Sequence, residues 1–222
     1  MTILSFHPVK HIACGEGGMV LTNSEELYKK LLLFRNHGIT KDTNDYVRKD
    51  EGLWYHEMQD LGYNYRLTDI QCALGISQMK KLDRSLIERN KIAQIYEDEL
   101  GDINWITLPP RFDKEWLNEI NSSRFEKKPA NLHSYHLYPI LLHDSVNRKD
   151  FFNYLRDNNI GVQIHYIPIP MHPYYKNTYK VDKEKLKNSY SFYSKEISIP
   201  MYYSLKEEDV SYIIQKIISY NY

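Results

Sequence analysis

The sequence SFHPVK at residues 5–10, followed by GEGG at residues 15–18, decides how the rest of the chain is interpreted. Apolar residues within 3–6 predict a short strand that leads to a serine and a lysine five positions apart, and MVLT at residues 19–22 predicts a return strand. Glycines beside a lysine indicate a backbone held close to something that a side chain would block. A single lysine is most often a solvated surface residue, so Lys10 gains its interest from this setting.

The segment S-F-H-P-V-K-H-I-x-x-G-E-G-G resembles the lysine segment of the DegT/DnrJ/StrS-type sugar aminotransferases, which are pyridoxal-phosphate enzymes of the aspartate-aminotransferase fold. The resemblance implies that Lys10 carries the cofactor as a Schiff base and that Ser5 contacts the cofactor phosphate. A partly desolvated lysine keeps more of its amine neutral, so it can attack an aldehyde and later shuttle a proton. A serine hydroxyl can hydrogen-bond a phosphate without adding charge.

The resemblance implies an α/β fold, the C-terminal part of a fold type I pyridoxal-phosphate enzyme. We expect a C-terminal remnant of the large cofactor-binding domain at 1–66, a long connector helix at 67–104 and a small α+β domain at 105–222. In the family, an upstream portion supplies the central parallel sheet, the aspartate facing the pyridine nitrogen and the aromatic residue on the ring. None of these is found in this sequence. We therefore expect an N-terminally truncated chain that is inactive alone; the alternatives are a non-catalytic remnant that binds a partner and one half of a split enzyme.

GYNYRLTDIQCALG at residues 62–75 resembles the family pattern G-x-N-x-R-L-x-x-I-Q-x-A-L-G. Thr68 and Gln71 predict a capping box that opens a long helix. In the family, the asparagine before this helix reaches the cofactor phosphate of the neighbouring subunit, which implies that role for Asn64 and a homodimer with shared active sites. The alternative is a turn asparagine that serves its own backbone. RNHG at residues 35–38 either resembles the family's R-x-H-G near the active-site rim or is a simple helix end.

NIGVQIHY at residues 159–166 predicts a strand, because apolar residues alternate with polar ones. Gln163 and His165 would then share one face. The string Q-x-H-Y-x-P-I resembles the segment that contacts the nucleotide-sugar in UDP-amino-sugar transaminases, which implies substrate contacts from Gln163, Ile164, His165 and Tyr166. The alternative is a set of half-exposed polar residues on a sheet.

Three blocks occur in the family's order: residues 5–18, 62–75 and 159–166. Among the branches of the family, residues 62–78, HLYPI at 136–140 and QIHYIPI at 163–169 most resemble the branch that serves pseudaminic acid biosynthesis. That branch moves an amino group from glutamate to C4 of a UDP-linked 4-keto-6-deoxy-N-acetyl hexosamine, in amino-sugar synthesis for cell-surface polysaccharide. The resemblance therefore implies pyridoxal 5'-phosphate as cofactor, and glutamate and a nucleotide-sugar as substrates. The expected partners are a second copy of the chain and an upstream large-domain chain.

The composition favours no further partner. The chain has 29 basic and 29 acidic residues, so its formal net charge of zero does not indicate nucleic acid or an anionic membrane as a partner. Cys14 and Cys72 form no C-x-x-C motif, so neither a metal site nor a disulfide framework is predicted. No apolar run approaches the roughly 20 residues that cross a bilayer, and the expected compartment is a reducing cytoplasm. Residues 40–61 predict a surface loop, and residues 111–131 predict a surface insertion without an assigned role.

Overall fold

The computed structural model describes residues 1–110, 133–182 and 184–221, and the insertion predicted at 111–131 lies outside these ranges. The strands are β1 Thr2–Ser5, β2 Gly18–Leu21, β3 Ile39–Thr40, β4 Glu57–Met58, β5 Ile106–Thr107, β6 Tyr138–Leu142 and β7 Glu196–Ile199. The α-helices are α1 Glu25–Arg35, α2 Asp69–Met79, α3 Leu82–Leu100, α4 Arg148–Asp157, α5 Pro173–Thr178, α6 Lys187–Lys195 and α7 Glu207–Ile218. Two short 3-10 helices span Ile169–Met171 and Glu184–Leu186.

The first of two compact units is Met1–Leu82. Strands β1 and β2 pair antiparallel with Ser5 opposite Gly18, as the sequence predicts for this strand pair. Helix α1 begins after Ser24, whose hydroxyl accepts a hydrogen bond from the Leu27 N–H at 3.3 Å. The predicted surface loop at 40–61 is framed by the short antiparallel pair of β3 and β4.

The connector helix predicted at 67–104 is two helices, α2 and α3, in the structure. The capping box is present as predicted, because the Thr68 side chain accepts from the Gln71 N–H and the Gln71 side chain accepts from the Thr68 N–H. The break falls at Lys80 and Lys81, where the sequence has neither glycine nor proline, so no sequence signal marked it. The two helices also differ in burial, since no residue of α2 is buried.

The second unit, Asp83–Tyr222, contains a three-stranded antiparallel sheet in the order β5-β6-β7. Ile106 lies opposite Leu142, and Ile140 lies opposite Ile197. Burial alternates along β6, as expected for a strand with one face on a core. Apolar side chains of α3, α4 and α7 join the sheet in one hydrophobic core: Ile92, Ala93, Tyr96 and Leu100 of α3, Phe151 and Leu155 of α4, and Val210, Ile213, Ile214 and Ile217 of α7.

Arg89 links α3 to loops of the same unit. Its guanidinium Nη1 donates to the Tyr135 carbonyl at 2.7 Å and to the Met201 carbonyl at 2.9 Å, and the residue is only 7% exposed. Hydrogen bonds from a charged donor to buried carbonyls are among the stronger ones in proteins. Helix α3 therefore belongs structurally to the second unit, over most of the span predicted as a connector.

Candidate active site

Lys10 lies in the loop that joins β1 to β2. The loop is closed at its base by two main-chain hydrogen bonds, from the Phe6 N–H to the Gly17 carbonyl at 2.9 Å and from the Cys14 N–H to the Phe6 carbonyl at 3.0 Å. Nearer the tip, the Lys10 N–H donates to the His7 carbonyl at 2.9 Å. The side chain of Phe6 is buried under the loop. The main chain therefore shapes this loop, and the Lys10 side chain is not used to hold it.

The side chains of Lys10 and Ser5 are both available to a ligand. Lys10 is half-buried, and among the described residues its amine makes no hydrogen bond or ion pair. Ser5 is exposed at the end of β1, and its hydroxyl oxygen accepts one long hydrogen bond from the His7 N–H at 3.5 Å. The hydroxyl proton of Ser5 is left for an acceptor such as a phosphate oxygen. The structure thus places both predicted residues on one hairpin, while their roles stay predictions.

The glycine-rich turn fits closely against the second motif. A Cβ added to Gly17, whose φ is +151°, would lie 2.6 Å from Cδ2 of Leu67, just before α2. The Gln71 Nε2 donates to the Glu16 carbonyl at 3.0 Å, while its Oε1 accepts from the Thr68 N–H at 3.1 Å. The close approach predicted at the glycines is therefore made by the protein itself. The beginning of α2 packs on the Lys10 loop.

Asn64 is fixed through its main chain and free at its side chain. An antiparallel bridge joins Asn64 to Asn36, and the Arg66 Nη1 donates to the Asn36 Oδ1 at 2.6 Å. Main-chain bonds extend the bridge on both sides: His37 N–H to Tyr63 carbonyl, Tyr63 N–H to Phe34 carbonyl and Tyr65 N–H to Arg35 carbonyl. Asn64 is exposed, and among the described residues its side chain makes no hydrogen bond, so it does not serve its own backbone there. The RNHG and GYNYR segments therefore form one structure.

Two glycines allow these segments to cross. A Cβ on Gly38 would lie 1.7 Å from the Asp60 carbonyl oxygen, and a Cβ on Gly62 would lie 2.0 Å from the Gly38 nitrogen. Gly38 also has a φ of +69°, and its N–H donates to the Leu33 carbonyl at 2.7 Å to end α1. The helix end predicted for RNHG is therefore present and also contacts the Asn64 segment, while its place near an active-site rim stays a prediction.

The strand predicted at 159–166 is wrong, because the structure has a single bridge there, between Gln163 and Ser198 of β7. The alternation predicts burial in part: Ile160 and Val162 are buried, whereas Ile164 is half-buried. Alternation shows which side chains face a core, but it does not show whether the backbone continues along a neighbouring strand. The segment pairs with the sheet at Gln163 and then leaves the strand geometry.

His165 and Tyr166 follow this departure. Their rings meet edge to face with centroids 4.6 Å apart, and Tyr166 is 71% exposed. The Nδ1 of His165 is buried without a hydrogen-bond partner among the described residues. The Gln163 Oε1 accepts from the Ile164 N–H at 2.9 Å, which leaves its amide protons for other acceptors. Ser5, Lys10 and Asn64 belong to the first unit, and the predicted substrate residues Gln163, Ile164, His165 and Tyr166 belong to the second.

Sequence reasoning missed Glu196. This acid is fully buried, and its Oε2 accepts a hydrogen bond from the His165 N–H at 2.8 Å. The one signal in the sequence is an acidic residue at the start of the otherwise uncharged run EISIP. An acidic residue in that position is more typical of an exposed charge at the end of a strand than of a buried one.

A model of the DegT/DnrJ/EryC1/StrS aminotransferase family matches residues 1–218. The chain belongs to this family. The chain is 38% identical over 221 residues to the UDP-4-amino-4,6-dideoxy-N-acetyl-beta-L-altrosamine transaminase of Campylobacter jejuni serotype O:2, with 99% of the chain and 52% of the relative covered. Among solved structures, it is similar to the aminotransferase PseC of Helicobacter pylori, involved in the biosynthesis of pseudaminic acid. That likeness has a TM-score of 0.79 and 32% identity, and it covers 97% of the chain and 52% of PseC.

The family membership confirms the predicted fold class, an α/β part of a pyridoxal-phosphate aminotransferase. The chain spans about half the length of the curated relatives that it matches. Spr1654 of Streptococcus pneumoniae, 26% identical with a TM-score of 0.76, covers 96% of the chain and 51% of its own length, and it was solved in a PMP form. The predicted cofactor of the family, pyridoxal phosphate, is thereby confirmed. The residues of the Lys10 loop fit such a cofactor, because one hairpin holds an amine without a partner among the described residues and a hydroxyl whose proton is not used there.

Among the described residues, no group of three or more His, Cys, Asp or Glu side chains could hold a metal ion. No helix within them is both long and apolar enough to cross a membrane.

Proposed function

We propose that this DegT-family chain supplies the lysine and the nucleotide-sugar-binding part of a transaminase. The reaction transfers the amino group of glutamate to C4 of a UDP-linked 4-keto-6-deoxy sugar. The observation that carries the proposal is the half-buried Lys10, whose amine makes no bond among the described residues, in a chain that the family model matches over residues 1–218. The names of the Campylobacter and Helicobacter relatives support the sugar-nucleotide class. The two free cysteines, Cys14 and Cys72, support a reducing cytoplasm as its compartment.

Each candidate residue has one role in this proposal. Lys10 holds the cofactor, and Ser5 donates its hydroxyl proton to the cofactor phosphate. Asn64 reaches the cofactor phosphate of a second copy of the chain, which is supported by its exposed side chain and its fixed backbone. The second unit binds the nucleotide-sugar through the side chains and main chain of Gln163, Ile164, His165 and Tyr166.

When bound, pyridoxal phosphate supplies the electron sink that stabilises the carbon from which a proton is removed. After the amino donor had displaced the Lys10 amine, this amine would take the proton from C2 of glutamate and would deliver a proton to the carbon on the other side of the donor nitrogen. One water molecule would then release 2-oxoglutarate, and the nitrogen would be kept for the sugar. The same amine performs the two proton transfers in the opposite order on the keto-sugar, so that the nitrogen lost by glutamate is gained at C4.

We propose that the chain alone does not turn over substrate, because the curated relatives are about twice its length. A second candidate function is that of one half of a split aminotransferase, or of a non-catalytic chain that binds a partner. The exposed apolar side chains of the first unit favour it, including Ile70 at 83% and Trp54 at 79% exposure. Such side chains commonly mark a surface that another polypeptide covers.

The proposed function is tested in a chimera that joins the part of the Campylobacter transaminase outside the match to this chain. We expect the chimera to form more than one equivalent of 2-oxoglutarate per active site from glutamate only when the UDP-linked 4-keto sugar is present. The variant Lys10→Ala should lose at least about 10³-fold in turnover, because a covalent and proton-transferring group is removed. The variant Lys41→Ala, in the exposed loop, is the matched control. A chimera that folds and keeps its turnover without Lys10 would refute the proposal, and turnover by the 222-residue chain alone would refute its dependence on a longer assembly.

A further inference from the structure

Glu196 is a buried acid on a strand that is buried throughout. All four residues of β7 are buried, and side chains alternate between the two faces of a strand, so Glu196 and Ser198 share one face. Ile197 and Ile199 occupy the other face and belong to the hydrophobic core. Acidic side chains are seldom fully buried unless donors satisfy them. The partners of Glu196 therefore indicate why it is there.

Two donors satisfy the carboxylate, one on each oxygen. The Ser198 hydroxyl donates to Oε1 at 2.5 Å, and the His165 N–H donates to Oε2 at 2.8 Å. Among the described residues, no lysine, arginine or histidine forms an ion pair with Glu196. The carboxylate is thus tied to its own strand and to the main chain of the segment at 163–166.

The register shows what the second bond replaces. Gln163 and Ser198 exchange two main-chain hydrogen bonds, at 3.3 and 2.8 Å, as an antiparallel pair does. If the antiparallel pairing continued, His165, two residues after Gln163, would lie opposite Glu196, two residues before Ser198. The His165 N–H would then donate to the Glu196 main-chain carbonyl. The observed acceptor is the side-chain Oε2 instead. The segment has left the edge of the sheet, and the Glu196 side chain spans the added distance.

We propose that Glu196 is a positioning residue for the segment at 163–166, which is proposed to bind the nucleotide-sugar. Its carboxylate takes the place of a main-chain carbonyl and holds His165 and Tyr166 away from the sheet edge, where the exposed Tyr166 ring can pack on a uridine or sugar ring. The proposal rests on the proposed function for the identity of the ligand, and on the hydrogen bonds of Glu196 for the positioning itself.

The length of the Glu196 side chain, and not its charge, determines whether it accepts the hydrogen bond from the His165 N–H. Glu196→Gln keeps the length and one acceptor oxygen for the His165 N–H, and its amide can donate to the Ser198 hydroxyl. Glu196→Asp keeps the charge but is one methylene shorter, so it cannot reach the displaced N–H. Glu196→Leu keeps much of the volume and removes both acceptors. Ser198→Ala is the matched control, because it removes the other bond of the same carboxylate.

The experiment has two readouts in the full chain: exchange of the His165 amide hydrogen, followed by NMR, and the Kd for UDP-N-acetylglucosamine as the probe. We expect Glu196→Leu and Glu196→Asp to speed the exchange and weaken probe binding by about tenfold or more each, as for the loss of one buried hydrogen bond. Glu196→Gln and Ser198→Ala should stay within about threefold of the unsubstituted chain in both readouts. Thermal unfolding of each variant reports whether the fold is kept.

The outcomes separate this inference from the proposed function. If the chain binds the probe and the aspartate and leucine variants bind it equally well, the positioning role is overturned and the proposed function stands. If Ser198→Ala is as impaired as Glu196→Leu, the effect comes from general disruption of β7 and the inference is also overturned. If neither the unsubstituted chain nor the Campylobacter chimera binds the probe while His165 exchange follows the expected order, the positioning of the segment stands and the nucleotide-sugar function is contradicted.

Discussion

At the scale of single residues, the first unit depends on positions where the chain tolerates no side chain. The Asn64 segment crosses the end of α1 at Gly38, and the Arg66 guanidinium then bonds to Asn36. The sequence predicted that these motifs are important through their resemblance to a family. The sequence could not predict that these two segments touch. Glycine is common at helix ends, so Gly38 gave no reason to expect a contact with a second segment.

Gly38→Ala is expected to loosen the Asn64 segment. Its φ of +69° costs a non-glycine residue about 1–2 kcal/mol, and the new Cβ would lie 1.7 Å from the Asp60 carbonyl oxygen. The measurement is amide exchange at Tyr63, whose N–H bonds to Phe34. Gly161→Ala is the control, because a Cβ there meets nothing within 4 Å. Equal exchange at Tyr63 in the two variants would show that the crossing is not essential.

At the scale of elements, sequence patterns predicted the structure formed by neighbouring residues. They failed where a residue distant in sequence determines the backbone conformation. The Thr68–Gln71 capping box and the β1–β2 pair are encoded by neighbouring residues, and both are present. The strand predicted at 159–166 is wrong because the segment pairs with β7 only at Gln163, and the His165 N–H then donates to the side chain of Glu196, which is distant in sequence. The prediction of a single connector helix is wrong, because the helix is interrupted at Lys80 and Lys81. The local sequence has neither glycine nor proline there to indicate the break.

The surface loop at 40–61 is organised by one carboxylate. The two oxygens of Glu57 accept from the main-chain N–H groups of Val47 and Arg48, each at 2.8 Å. The Tyr55 hydroxyl and the Gln59 amide also donate to it, at 2.8 and 2.7 Å. Hydrogen bonds from the Arg48 and Val47 main chain favour the ionised form and lower the pKa of Glu57 below its ordinary value.

The lowered pKa of Glu57 predicts an acid-sensitive loop. A carboxyl whose pKa is lower in the folded chain stabilises it fully above the ordinary pKa of 4.5, and this stabilisation is lost as the pH falls through the lower folded value. We expect protection of the Val47 and Arg48 amides to fall in acid by NMR. In Glu57→Gln, protection should be weaker and independent of pH between about 3 and 6. The same acid-induced loss of protection in Glu57→Gln would contradict the role of this carboxyl.

At the scale of the whole molecule, the two units differ in what they bury. The core lies in the second unit, from Ile92 to Ile217. In Met1–Leu82, which is described throughout, Phe6 and Cys14 are the only buried apolar side chains. Burial of apolar surface is the main favourable term in folding, so the first unit has little to stabilise it alone. The sequence predicted a long helix after the Thr68–Gln71 capping box, but local sequence could not show that none of the residues of α2 would be buried.

Hydrogen exchange of the 222-residue chain should therefore separate the units. We expect amides of α3, α4, β6, β7 and α7 to be protected, and those of β1, β2, α1 and α2 to exchange much faster, since regions with few buried contacts open locally. In the chimera with the remainder of the Campylobacter relative, the first unit should gain protection. Equal protection of both units in the chain alone would contradict this account.

The central claim is that Lys10 holds the cofactor, and covalent labelling in that chimera tests it directly. Incubation with pyridoxal phosphate and reduction with borohydride, followed by peptide mass spectrometry, should place the label on Lys10, with none at that position in Lys10→Ala. The Campylobacter transaminase treated in the same way is the positive control. A folded chimera that carries its label on other lysines, and not on Lys10, would contradict the account.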